Sequence, residues 1–244
     1  MPSDLPVVVI SGVGPGTGAA VTRRFAAGGY AVAMLARNLE RLDQLAAEIP
    51  NAHAYPCDVT DEAAIDAALT DIRSDLGLPT VLIHNAVGGA IGNFLTIDPA
   101  VLNRNFQINT MGLLYLARRV APDMIDAGRG AIVVTGNTSS IRGRANFAGL
   151  APTKAAQRIL AESMARELGP RGVHVAHVLI DAVIDLEWTR RRWADAPDDF
   201  FMKPSAIADE IRAPRARAPR RETTRSDASR SVFAASSKVF ARAE

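Results

Sequence analysis

The chain has little of several things. It contains one cysteine, Cys57, among 244 residues. That excludes an internal disulfide and suits a reducing compartment. It contains no run of 18 apolar residues, so no segment reads as a membrane span. Its first residues, MPSDLP, lack the basic cluster and long apolar stretch of a signal peptide. A cytoplasmic protein with no membrane partner is therefore expected. Aromatic residues make up only 5 %, with three tyrosines, Tyr30, Tyr55 and Tyr115. No metal site is read from the sequence.

The charge is nearly balanced at +2 but unevenly spread. Residues 211–244 hold nine of the 28 basic and three of the 26 acidic side chains. The body is thus mildly acidic. The high isoelectric point belongs to the C-terminal stretch and gives a poor case for a nucleic-acid partner.

What is present is apolar and periodic. With 48 % hydrophobic residues the chain can bury one large core. Short apolar runs at Val7–Ser11, Tyr30–Ala36, Ala52–Pro56, Thr80–His84, Ala131–Thr135 and Val173–Leu179 read as strands buried on both faces. Amphipathic helices are predicted between them, over Thr17–Ala27, Leu39–Ile49, Asp61–Leu76, Phe106–Asp126 and Ala151–Leu168. Asn38 and Thr60 are the expected N-caps of the second and third. This alternation predicts an α/β fold with a doubly wound parallel sheet, in one domain over residues 1–210. Residues 211–244, rich in Arg, Ala, Ser and Pro, are expected to be mostly disordered.

The most specific local signal is Gly12-Val13-Gly14-Pro15-Gly16-Thr17-Gly18, between the first strand and the first helix. Side chains at the glycine positions would block close approach of backbone to a pyrophosphate. The helix N-terminus then offers unpaired N–H groups to the phosphates. The second strand ends in Arg37-Asn38 with no adjacent carboxylate. A guanidinium suits a 2′-phosphate, whereas an Asp would repel one. NADP(H) is therefore expected over NAD(H) in a Rossmann-like site, with Arg37 and Asn38 at the adenosine end.

With this glycine spacing the chain resembles the short-chain dehydrogenase/reductase family, and the resemblance runs through about residue 190. It implies that Asp58 and Val59 flank the adenine and that Asn85 and Ala86, within His84-Asn85-Ala86-Val87-Gly88, line the cofactor. It implies that Val183 bonds the nicotinamide carboxamide through its backbone. Asn109 matches a helix asparagine that supports a proton-relay water beside a lysine, here Lys154. The family places a tyrosine acid four residues before that lysine and a serine thirteen residues before the tyrosine. Leu150 and Asn137 stand at those two positions. An isobutyl group has no proton to give. Thr138, Ser139 and Ser140 follow Asn137, so either its amide or a neighbouring hydroxyl is available to a carbonyl. The catalytic candidates are thus Asn109, Asn137, Ser139 and Lys154, and the resemblance implies that Lys154 also belongs to the cofactor site, bonding the nicotinamide ribose.

After the sixth strand the resemblance implies a substrate lid, about residues 184–205. Its Trp188, Trp193, Phe200, Phe201 and Met202 either floor an apolar pocket or pack on the body. The resemblance also implies a homodimer, with the two long helices that carry Asn109 and Lys154 paired between subunits. A seventh strand, which tetramers of the family use, is not found after Ala208. Two functions remain open: an oxidoreductase for a small-molecule carbonyl or alcohol with an atypical site, and a catalytically silent NADP(H)-binding sensor or scaffold.

Overall fold

Short buried strands need helices on both faces, and the chain supplies them. The computed structural model describes residues 4–212. Six strands, β1 (Val7–Ser11), β2 (Ala31–Ala36), β3 (Ala52–Pro56), β4 (Pro79–His84), β5 (Gly130–Asn137) and β6 (Val173–Ile180), form one sheet in the order β3-β2-β1-β4-β5-β6. All neighbours run parallel. The chain steps outward from β1 to β3, then returns to β4 on the other side of β1. That reversal leaves a crevice at the C-terminal ends of β1 and β4, where ligands of such sheets bind.

Alternate strand residues divide into two cores. Val8, Ile10, Val32, Met34, Val81 and Ile83 meet α1 (Thr17–Ala26), α2 (Leu39–Glu48) and α8 (Pro204–Arg212). Val9, Ala33, Leu35, Leu82 and Val134 meet α3 (Glu62–Asp75), α5 (Gly112–Asp126) and α6 (Ala151–Leu168).

Besides strand ends that shift by one or two residues, three features differ from expectation. The helix of Asn109 begins earlier, as α4 (Pro99–Phe106), with Asp98 accepting from Ala100 N and Pro99 in the first turn. A π-turn, Gln107–Met111, joins α4 to α5. Its extra residue per turn shifts the apolar face and hides the continuity from a 3.6-residue pattern. The cap of α3 is Asp61, not Thr60, and it accepts from the N–H groups of Ala63 and Ala64. Thr60 instead donates through its N–H and hydroxyl to Asp58 Oδ1. Finally, α8 carries the ordered body past residue 210, because Ile207, Ala208 and Ile211 are buried beside α1. The disorder expected of 211–244 lies, from residue 213 onward, outside the described residues.

The lid region folds as β7 (Val183–Ile184), α7 (Glu187–Arg192), a 3-10 turn and β8 (Phe201–Met202), with β7 paired to β8 apart from the main sheet. Among the described residues no helix is long and apolar enough to cross a membrane, and no side-chain cluster could hold a metal ion.

Candidate active site

The crevice is built from the glycine turn upward. Gly12 has φ +79°, and a Cβ there would sit 2.4 Å from the Cα of Ala86. A Cβ on Gly18 would lie 2.7 Å from the carbonyl oxygen of Gly12. These contacts press the turn onto the segment after β4. Asn85 Nδ2 donates to Gly12 O at 2.8 Å, and its Oδ1 accepts from Thr135 Oγ1 at 3.1 Å. Asn85 and Ala86 therefore hold the turn itself. Gly14 faces open space, and Pro15 is exposed. Gly16 is the N-cap of α1; no side chain caps it and no acidic residue stands in its first turn. Thr17 and Gly18 follow with their side-chain space buried. An uncapped N-terminus behind a bare turn is a fit for a diphosphate.

Arg37 leaves the end of β2 exposed and makes no hydrogen bond or ion pair among the described residues. Asn38 uses its side chain to cap α2, accepting from Arg41 N at 2.9 Å. Asp58 is turned toward Thr60, while Val59 is buried against Gly112. Val183 pairs with Phe201.

Behind the crevice lies a buried polar chain. Lys154, only 3 % exposed, donates through Nζ to Thr135 O at 3.1 Å and to Gln157 Oε1 at 2.9 Å. Gln157 Nε2 donates to Asn109 O at 2.7 Å. The Asn109 side chain accepts from Gly88 N at 2.9 Å and donates to Gly88 O and Thr153 Oγ1, at 2.7 and 2.8 Å. Asn109 thus ties the loop after β4 to the first turn of α6. Asn105, one turn earlier, donates to Gly149 O at 2.7 Å and adds a second tie. Burial, with no carboxylate beside it, pulls the Lys154 ammonium down to about 8.

The hydroxyl candidates separate. Asn137 Oδ1 accepts from Ser139 N, and its carbonyl accepts from Ser140 Oγ at 2.7 Å. Ser140 is thereby turned inward. Ser139 is half-buried, and its hydroxyl makes no side-chain hydrogen bond among the described residues. Leu150 is the N-cap of α6 and lies beside Gly89, where a Cβ would be 3.5 Å from Leu150 Cδ1. The tyrosines are placed elsewhere: Tyr30 stacks edge-on against Phe25, Tyr55 donates to Asp75, and Tyr115, on α5, packs partly buried against the core.

Several neighbours were not foreseen. Gln157 gave a sequence signal only in its spacing, three residues after Lys154. Leu186 lies over the glycine turn, 2.5 Å from where a Cβ on Gly16 would be. Thr189 fixes that segment by donating to the carbonyls of Ile184 and Leu186 and accepting from Leu186 N. In the lid, Trp193, Phe200 and Phe201 pack on one another, and Arg190 lies 4.2 Å from the Phe201 ring centroid. Trp188 stays 58 % exposed.

His84 is fully buried, with Nδ1 3.0 Å from Ser11 Oγ. Burial, and secondarily Lys154, lowers its pKa to about 3; the same causes bring His177 to about 4. Both favour the neutral ring when folded. Between these values and about 6.5 the unfolded chain binds more protons, so stability is present in full above pH 6.5 and falls as pH drops. His84 alone is expected to remove about 2 kcal/mol between pH 7 and pH 5. Urea unfolding at the two pH values checks this, and a His84→Asn variant should flatten the slope. An unchanged slope would contradict it.

Comparison with known proteins agrees with this geometry. Residues 6–191 match the profile of the short chain dehydrogenase family. A 2-dehydro-3-deoxy-L-rhamnonate dehydrogenase (NAD(+)) from Sphingomonas sp. (strain SKA58) is 32 % identical over 178 residues, 72 % of this chain and 71 % of its own length. An L-xylulose reductase from Mesocricetus auratus is 29 % identical over 188 residues, 77 % of this chain and 75 % of its own. The crystal structure of a metagenomic short-chain oxidoreductase in complex with NADP is similar, with a TM-score of 0.74 at 27 % identity over 87 % of this chain and 91 % of that one.

Proposed function

We propose that this chain, which belongs to the short chain dehydrogenase family, is an NADP(H)-dependent oxidoreductase for a carbonyl or alcohol substrate, working without a side-chain acid at position 150. The family consists of oxidoreductases that bind NAD(P)(H). The observation that carries the reading is the uncapped start of α1 behind the bare glycine turn, at the β1–β4 crevice. Arg37, exposed and unpaired among the described residues, supports the phosphorylated cofactor over NAD(H). A bound nicotinamide would supply or take up hydride.

The chain's own residues do the rest. Lys154 holds a positive charge at the buried wall of the cleft. Ser139 has a hydroxyl free to orient a substrate oxygen, and Asn137 shapes the turn that carries it. Asn109 fixes the loop after β4 against α6, so both cleft walls keep their spacing. Leu150 donates no proton, so the proton comes from water or from the substrate. Loss of a positioned acid slows such reactions by about 10²–10⁴ without abolishing them, because positioning contributes separately. Binding without turnover is the second reading, favoured by Leu150 and by the inward hydroxyl of Ser140. Ketones and alcohols followed at the nicotinamide absorbance separate the two. Slow, saturable turnover supports the oxidoreductase; binding of NADPH with no turnover across the panel supports the silent form.

The reading includes a cytoplasmic homodimer paired through α5 and α6. Ile159, 53 % exposed on α6, supports an apolar contact there. Light scattering should give twice the mass of one chain; a monomer at micromolar concentration would refute the pairing.

A further inference from the structure

We propose that Gln157 is a positioning residue for Lys154: its amide ties Nζ to the Asn109 carbonyl and closes the buried side of the lysine to proton transfer. This rests on the reading that Lys154 belongs to the cofactor site. A side-chain amide has fixed polarity, since its NH₂ only donates and its oxygen only accepts. Nε2 meets the carbonyl of Asn109 at 2.7 Å, so Oε1 must face Nζ, which it does at 2.9 Å. The reverse orientation would set carbonyl against carbonyl and NH₂ against ammonium. Both bonds are enclosed, because Gln157 is fully buried.

The consequence concerns where a proton can go. The two acceptors on Nζ, Gln157 Oε1 and Thr135 O, are both carbonyl-type oxygens, and neither takes up a proton near neutral pH. The other titratable or charged groups that sense Lys154 are His84 from β4 and His177 from β6, with Arg158 on α6 beside His177. Both imidazoles are held neutral by burial and by Lys154 itself. No carboxylate contributes to the Lys154 environment. The resemblance drawn from the sequence implies a water between Asn109 and the lysine. Here an amide bridges the pair. A water accepts one proton as it releases another, whereas this amide only accepts from Nζ. Only the third N–H of the ammonium remains for whatever enters the cleft. Gln157 also stabilises the charged form of a lysine that burial disfavours, so it sets the pH at which that charge is lost.

The test uses the full chain without ligand. The sequence has three lysines, Lys154, Lys203 and Lys238, so ¹³Cε-labelled lysine gives three signals, which Lys203→Arg and Lys238→Arg assign. The Lys154 signal should titrate near 8. Gln157→Glu places a carboxylate at the ammonium and should raise the midpoint by about one unit or more. Gln157→Met keeps the size, removes the acceptor and should lower it. NADPH affinity, read by fluorescence, should be lost at a correspondingly higher or lower pH in each variant. Coincident Lys154 midpoints in the folded proteins overturn the proposal. If Gln157→Glu fails to fold, Gln157→Met decides the matter alone. Shifted midpoints in a chain that does not bind NADPH uphold the role of Gln157 and refute the cofactor assignment. NADPH binding with unshifted midpoints does the opposite.

Discussion

Leu150→Tyr is expected to raise the rate of ketone reduction or alcohol oxidation by about 10²–10⁴, the range that a positioned general acid contributes. Leu150 caps α6, and Lys154 follows one turn later with its N–H donating to Leu150 O at 3.1 Å, so a side chain at 150 starts one turn before the lysine. A phenol at 150 therefore lies beside the lysine, whose charge favours its ionised form. Gly89 is the neighbour across the cleft, and its missing side chain leaves room for a ring. Asn109, Thr153 and Asn105 hold the walls in place without any contribution from the Leu150 side chain. The substitution should leave NADPH affinity near the wild-type value while kcat rises. An inactive Leu150→Tyr chain that still binds NADPH would mean that proton supply is not what limits this site.

Arg37→Asp is expected to weaken NADPH binding by about 100-fold and to leave NADH binding unchanged or tighter. A charge-assisted bond to a phosphate contributes about 1.5–3 kcal/mol, on the order of 10- to 100-fold in affinity. The introduced carboxylate adds repulsion for a 2′-phosphate and an acceptor for ribose hydroxyls. Arg37 is exposed and unpaired among the described residues, so its loss breaks no structural contact. Its effect should appear in cofactor affinity and not in the unfolding midpoint. Equal weakening of both cofactors would refute the assigned contact.

The glycine turn was legible in the sequence because its conformation admits almost nothing else. At Gly12 a positive φ and the nearness of Ala86 both exclude a side chain. The four inner strands β1, β2, β4 and β5 were legible because each is buried on both faces and reads as near-continuous apolar sequence, whereas the edge strands β3 and β6 mix buried with exposed residues and were marked by their place in the alternation. Lys154 was legible from its motif. Its partner was not, because nothing in a linear pattern says that a glutamine three residues on will accept from the lysine of its own helix and donate to the carbonyl of Asn109. Asn85 and Asn109 illustrate the same limit. The resemblance marked Asn85 for the cofactor lining and Asn109 for a relay water beside Lys154; that their side chains also hold the glycine turn and the loop after β4 could not be read from the sequence. Helix α4 had its signals, Asp98 as cap and Pro99 in the first turn, but the π-turn broke the period that would have joined it to Asn109. Leu186 belongs to a segment whose path depends on Thr189 and on β7–β8 pairing, which local sequence does not encode.

Titration of the purified chain with NADPH and with NADH by calorimetry tests the central claim most directly. The account predicts saturable heat for NADPH, with NADH weaker by about 10- to 100-fold. Retention of neither nucleotide at millimolar concentration would contradict it, whatever the chain is later found to catalyse.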